Sequence, residues 1–228
     1  MIASAARRRR PADRALGAAS SVRRDTILQA ALRCFNAAGY EWTTIRDICA
    51  ESGASIGSVY HLFDEKQSIA GALYLDGVKG WTERVAGAER ATPDIEMAVK
   101  GAVHAYLDWL TEHPQWYFFL ASSRGIANRS SVRHEVDLLL RALDDLLNDR
   151  FAGAAAAGAV VEMPAEVYWP LMLGPTYAMM LGRVRQNEPT DPPEKWLPGR
   201  AERDALAEGA WRAMRAGQDP TRPASAHV

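Results

Sequence analysis

Hydrophobic residues recur three and four positions apart along most of the chain, and β-branched residues seldom alternate with polar ones, a pattern that predicts an all-α fold. A first helix is expected from about Ser21 to Ala38, with Ile27, Ala31, Cys34, Phe35 and Ala38 on one face and Gly39 as a left-handed cap. A second begins near Thr44, where Asp47 three residues on completes a capping-box-like start, and stops at Gly53. A third, about two turns long, covers Ile56 to Leu62, and a fourth is capped by Asp64 and Gln67 and reaches towards Glu89. Thr92-Pro93 starts a fifth helix that ends at His113-Pro114. Trp116 to Leu120 is apolar all round and is expected to be buried on every side. A seventh helix is read over about Ser131 to Phe151, followed by a loop at Gly153 to Ala159. Pro164 opens an eighth, which Pro170 and Pro175 should kink. Four prolines between Pro189 and Pro198 mark an extended connection before a ninth helix from about Gly199 to Ala216.

Two short helices joined at Ser52-Gly53-Ala54 form a helix-turn-helix, a unit whose second helix lies in the DNA major groove. Thr44 and the first-turn amides of the second helix suit a phosphate, and Ser55, Gly57 and Ser58 keep the next helix start small for close backbone approach. Tyr60, His61 and Lys66 add a phenol, an imidazole and a cation suited to phosphates, while Ile56 and Ser58 suit base edges or thymine methyls.

The stretch from Thr43 to Phe63, Thr-Thr-Ile-Arg-Asp-Ile-Cys-Ala-Glu-Ser-Gly-Ala-Ser-Ile-Gly-Ser-Val-Tyr-His-Leu-Phe, followed by Lys66, closely resembles the DNA-binding segment of the TetR family of bacterial transcriptional regulators. The resemblance covers about Arg23 to Leu75, including Ala30-Ala31-Leu32, Phe35 and Gly39-Tyr40. It implies an all-helical homodimer with an N-terminal DNA-binding domain and a larger C-terminal domain for ligand binding and dimerisation. By motif position it places DNA contacts on Thr44, Arg46, Ser55, Ile56, Gly57, Ser58, Tyr60, His61 and Lys66. Two departures are Ile56, where many relatives carry Lys, and Leu62, at a frequent His or Tyr-like position. The expected organisation is a disordered basic arm over 1–20, a DNA-binding domain over 21–66, a helical effector-binding and dimerisation domain over 67–216 and a disordered tail over 217–228.

Charge sharpens this division. Residues 1–66 carry a net +3 and the remainder −4, although the whole chain sums to −1. Residues 1–24 alone carry a net +6, so Arg7 to Arg10, Arg14, Arg23 and Arg24 are candidates to reach the minor groove or backbone beside the recognition helix. That arginine run also looks like the start of an export signal, but Ala15 to Ala19 is too short to be its apolar core; with no apolar run of about 18 residues, a soluble cytoplasmic protein is expected.

Gly53-Ala54-Ser55-Ile56-Gly57 fits the G-x-S-x-G pattern of serine hydrolases, but that elbow needs a preceding strand and the residues before Gly53 read as helix. His134-Glu135 begins like a zinc-protease motif, yet Leu138 stands in place of the second histidine. Cys34 and Cys49 form neither a disulfide framework nor a metal cluster and read as small core residues. No enzyme activity, metal or cofactor is expected.

Aromatic and polar residues of the C-terminal half give a candidate effector site comprising His104, Trp109, Trp116, Phe119, Arg124, Tyr168, Met172 and Tyr177. Helices 8 and 9, with Leu181, Leu206, Trp211 and Met214, are candidates for a two-fold interface. The expected function is a repressor that binds a palindromic double-stranded DNA operator as a homodimer and is released by a small, largely apolar effector. The alternatives are an activator, a ligand-dependent co-repressor, or a helical enzyme or binding protein that keeps the helix-turn-helix as a structural unit.

Overall fold

A computed structural model describes residues 11–123, 125 and 132–217. Their regular structure is helical: α1 (Pro11–Ala38), α2 (Ile45–Ser52), α3 (Ile56–Leu62), α4 (Lys66–Arg90), α5 (Ile95–Glu112), α6 (Pro114–Ser122), α7 (Arg133–Ala156), α8 (Ala165–Val184) and α9 (Arg200–Met214), with a 3-10 turn at Pro193–Lys195. Among the described residues the extended pairing is a single bridge between Val160 and Arg215, and no helix is long and apolar enough to cross a membrane.

Two expectations about helix bounds are corrected. α1 starts at Pro11, well before Ser21; proline suits a first helical position and the alanines at 12, 15, 18 and 19 favour helix without needing an apolar stripe. The run expected to be disordered therefore includes helix from Pro11 onward, while Arg7 to Arg10 lie outside the described residues. Likewise α7 continues through Gly153 to Ala156 before Gly158 turns the chain with φ 72, because alanine is the best helix former. The ninth helix ends at Met214, and 218–228 of the expected tail lie outside the described residues.

The chain divides into two compact units. The first comprises Met1–Leu75 and Phe118–Arg133, so its limit lies beyond residue 66 and it takes in the end of α6. Its core is built from Ile27, Leu28, Ala31, Leu32 and Phe35 of α1, Ile48 of α2, Val59 of α3 and Ile69 and Leu73 of α4. Phe119 completes it, 1% exposed and stacked on Phe35 at 5.8 Å between centroids. Arg33 of α1 pairs with Glu51 of α2 at 2.6 Å on the rim.

The second unit comprises Asp76–Tyr117 and His134–Val228. α9 packs on α5 and on α8, and buried alanines on both α5 (Ala98, Ala102, Ala105) and α9 (Ala207, Ala210) permit close approach of α5 and α9. Their seam is flanked by the ion pairs Arg203–Asp108 and Lys100–Glu208. α8 stays continuous through Pro170 and Pro175, each of which removes one intrahelical N–H. The proline-rich connection is held by Trp196, which is 1% exposed, and by Arg183, which donates to the Trp196 carbonyl at 3.2 Å. Trp211 and Met214, expected at a subunit interface, are already buried within this chain, whereas Leu181 and Leu206 are half-buried.

Gly80 of α4 is closely approached: a Cβ there would lie 2.7 Å from Nε1 of the buried Trp109. Gly80→Ala is therefore expected to destabilise the protein by about 1 kcal/mol, overpacking against a rigid indole outweighing the helix-propensity gain of alanine. A urea denaturation midpoint at or above wild type would refute this.

Candidate nucleic-acid interface

α2 begins at Thr44, whose extended backbone and hydroxyl satisfy the first turn. Asp47 N donates to Thr44 Oγ1 at 3.2 Å, while Thr44 N and Thr44 Oγ1 both donate to Asp47 Oδ2 at 2.8 Å. These bonds, the backbone one foremost, hold the Asp47 carboxyl below its ordinary range. Ile48 anchors the helix in the core and Arg46 faces solvent. Gly53 ends it with φ 68, a left-handed conformation that glycine adopts without strain, and Ser52 Oγ accepts from Ala54 N at 3.2 Å to brace the turn.

α3 is capped by Ser55, whose hydroxyl accepts from Ser58 N at 3.1 Å. Val59 is 0% exposed and fixes the helix on the core, so the four-residue spacings leave Ile56 and Tyr60, and Gly57 and His61, on the outward side. Ile56 is 46% and Tyr60 51% exposed, unusual for such side chains in a packed unit. Around Gly57 there is open space: among the described residues only Ser55 Oγ would come within 4.0 Å of a Cβ at that position. Arg23 of α1 donates from Nη1 to Ser58 Oγ at 3.2 Å, which sets a guanidinium beside the first turn of α3. Arg24 instead lies over the Phe63 ring at 5.7 Å.

The Lys66 ammonium is engaged within the protein. It donates to the carbonyls of Tyr40 at 2.7 Å, Thr43 at 2.8 Å and Glu41 at 3.3 Å, and lies 4.4 Å from the Tyr40 ring centroid. An ammonium has three N–H donors, and these carbonyls engage all of them. Lys66 thus ties the start of α4 to the loop that leads into Thr44. Trp42, in that loop, is 83% exposed and was not singled out by sequence reasoning, because an isolated apolar residue beside a helix cap carries no periodic signal.

The expected effector residues are dispersed in role. Phe119 belongs to the first unit's core and Arg124 lies outside the described residues. In the second unit, Tyr168 stacks on Phe151 at 4.5 Å and donates to the Val161 carbonyl at 3.2 Å. Trp109 and Met172 are buried, Trp116 and Tyr177 half-buried, and His104 Nε2 lies 3.7 Å from Asp204 Oδ1. Trp81, which periodicity did not single out, packs edge-on against Tyr106 at 5.7 Å and beside Trp169 at 5.5 Å. Burial pushes both the Cys34 and Cys49 thiols up, which keeps them protonated at neutral pH. No group of metal-ligating side chains gathers among the described residues, and Ser55 of the hydrolase-like pattern caps a helix that follows another helix.

The family model for bacterial regulatory proteins of the tetR family matches residues 27–73. The HTH-type transcriptional repressor AcnR of Corynebacterium diphtheriae is 30% identical over 138 residues, which span 60% of this chain and 68% of that protein. Among solved structures, a TetR family transcription regulator from Marinobacter aquaeolei VT8 superposes with a TM-score of 0.69 at 14% identity, covering 87% of this chain and 98% of that one. The fatty acid degradation regulator FadR from Bacillus halodurans gives a TM-score of 0.64 at 16% identity, covering 83% and 94%. The structural likenesses establish the shared fold. Taken with the matched helix-turn-helix and the AcnR similarity, they make this chain a member of the TetR family of helix-turn-helix transcriptional regulators.

Proposed function

We propose that this regulator is a repressor that binds a palindromic operator as a homodimer, with α3 of each protomer in the major groove, and that a small, largely apolar effector releases it. The observation that carries the reading is the outward side of α3, where Ile56, Gly57, Tyr60 and His61 face solvent while Val59 locks the helix from behind. Among the described residues nothing crowds Gly57, so its missing side chain suits close approach of an outside surface. In this reading Arg46, Tyr60, His61 and Arg23 contact phosphates, and Ile56 and Ser58 meet base edges. Thr44 and Ser55 keep the two helix starts in place. The name of AcnR as a repressor supports the direction of regulation.

α4 is one continuous helix from Lys66 to Arg90 and is the natural carrier of an effector signal. A tenfold loss of operator affinity requires only about 1.4 kcal/mol of differential effector binding between two positions of α4. His104, Trp116 and Tyr177, half-buried in the second unit, remain candidates to contact the effector, and the half-buried Leu181 and Leu206 of α8 and α9 remain candidates for the dimer contact.

Selection of tight binders from a random duplex pool by the full chain is expected to return a palindrome with two half-sites. Tyr60→Ala and Arg46→Ala should weaken binding to all duplexes; Arg46→Ala should also reduce the slope of log affinity against log salt by up to about 0.9, one phosphate's worth of counterion release, whereas loss of the uncharged Tyr60 should leave the slope unchanged. Ile56→Ala should instead relax the preference at one base position, a difference of roughly 1 kcal/mol or more. No enrichment from the pool, with all three variants behaving as wild type, would overturn the reading.

A further inference from the structure

Trp42 is the most exposed large hydrophobic side chain among the described residues, at 83%. Its loop is not slack. The carbonyls of Tyr40, Glu41 and Thr43, on both sides of the indole, are held by Lys66, and Thr43 Oγ1 donates to the Gly39 carbonyl at 2.8 Å and the Cys34 carbonyl at 3.1 Å. Two residues further on, Thr44 caps α2, and exposed Arg46 lies in its first turn. A loop with a held backbone thus presents a large flat apolar ring to water beside one of the two helices of the DNA-binding unit. Among the described residues of the same unit, Val22, Ile56 and Tyr60 are the other large exposed hydrophobic side chains. Holding the backbone rigid removes much of the ordering cost that a contact through this ring would otherwise carry.

An indole offers an apolar face and one N–H donor, and it has no acceptor. That combination matches the sugar–phosphate backbone, where a deoxyribose presents apolar surface and the adjoining phosphate accepts. It cannot read a base edge that needs an acceptor opposite it. We propose that Trp42 is a DNA-backbone contact, its indole laid on a deoxyribose flanking the half-site and its Nε1–H donated to the neighbouring phosphate. This rests on the DNA-binding reading above and adds to it a contact of a different physical kind. The indole is neutral and its neighbour Glu41 is an exposed carboxylate, so the contact contributes affinity without displacing counterions. Its loss therefore leaves the salt dependence of binding unchanged, in contrast to the loss of Arg46.

The test uses the full chain, the selected operator and a scrambled duplex, with dissociation constants measured over a series of salt concentrations for wild type, Trp42→Phe, Trp42→Ala and Arg46→Ala. Trp42→Ala should lose about tenfold on both duplexes, the factor that about 1.4 kcal/mol of lost contact produces, with the wild-type salt slope. Trp42→Phe, which keeps an apolar face but lacks the N–H, should fall between the two. The emission of Trp42, obtained as wild type minus Trp42→Phe, should change when DNA is added. Because the side chain is exposed, the variants should keep wild-type circular dichroism and melting temperature. Wild-type affinity in Trp42→Ala, an altered salt slope, or difference emission indifferent to DNA would each overturn the proposal while leaving the DNA-binding reading in place. A shifted oligomeric state in Trp42→Ala with unaltered DNA affinity would assign the indole to a protein contact and overturn it as well. Failure of the wild type to bind any duplex would remove the reading and the proposal together.

Discussion

Replacing Lys66 with methionine is expected to lower the melting temperature and weaken DNA binding, without altering the salt dependence of that binding. The ammonium donates to three backbone carbonyls and lies against the Tyr40 ring. Hydrogen bonds to a charged group contribute about 1.5–3 kcal/mol each when sheltered, but water can replace part of this network because the site is half-buried. A net loss of roughly 2–3 kcal/mol follows, a fall of about 4–10 °C for a chain of this size. Methionine preserves the stem packing, so the loss reports the ammonium. The loop from Tyr40 to Thr43 would lose its tether to α4, and with it the setting of Thr44 at the start of α2. Affinity for DNA then falls through misplacement. A lysine that directly neutralises a phosphate behaves differently: its removal leaves the melting temperature alone and reduces the salt slope by about 0.9. Thermal melts and salt titrations of the one variant separate the two roles, and an unchanged melting temperature would refute the tether.

The difference between these roles for Lys66 shows where a sequence stops being informative. The Thr44–Asp47 box and the stop at Gly53 are made by residues within three positions of one another, so they follow from local rules and were legible, whereas Ser55 reads only as a small residue at a helix start until its hydroxyl is seen to cap α3. The buried face of α1 was legible for the same reason, since periodicity alone sets Ile27 and Ala31 inward, whereas Val59 in the two-turn α3 is placed by the fold. Lys66 reads as a free cation at a helix start because its partners are carbonyls, which every residue carries and no pattern marks. Phe119 reads as part of an effector wall because apolar aromatics look alike wherever they pack; only the fold places it on Phe35. The helix from Pro11 and the extension to Ala156 carry no apolar stripe, so periodicity does not mark them although alanine favours helix there.

The same blindness to long-range pairing hides a buried charge, and its consequence is an expected pH dependence. Glu89, near the end of α4, is 0% exposed, and Arg150 of α7 brings Nε to 3.1 Å from its Oε2 while Nη2 donates to the Thr92 carbonyl at 2.5 Å. The Nε contact is close enough for an ion pair but off the line of a hydrogen bond, so among the described residues neither carboxylate oxygen accepts one. Burial pushes the Glu89 carboxyl up to about 7, against the pull of Arg150. In the unfolded chain the same group ionises near its ordinary 4.5. Between these values the folded state binds the extra proton, so the stability tied to the neutral carboxyl is fully present below about 4.5 and is lost as pH rises through about 7. The loss amounts to roughly 3 kcal/mol. Glu89→Gln should abolish it, and the difference in stability between wild type and this variant isolates Glu89 from every other titrating group.

Arg150→Met should cost about 3 kcal/mol at pH 8, where it leaves a buried carboxylate that must either stay uncompensated or take up a proton. At pH 5 Glu89 is already neutral, and the expected cost falls to about 1 kcal/mol for the hydrogen bonds lost to the Thr92 and Asp94 carbonyls. With the arginine gone the carboxyl is pushed higher still, so stability continues to decline above pH 7 in this variant after that of wild type has levelled. Urea unfolding of the three proteins from pH 5 to 8 makes the comparison. A wild-type stability that does not fall relative to Glu89→Gln across that range, or an Arg150→Met cost that does not depend on pH, would mean that Glu89 stays ionised in the folded protein and that its pairing with Arg150 outweighs its burial.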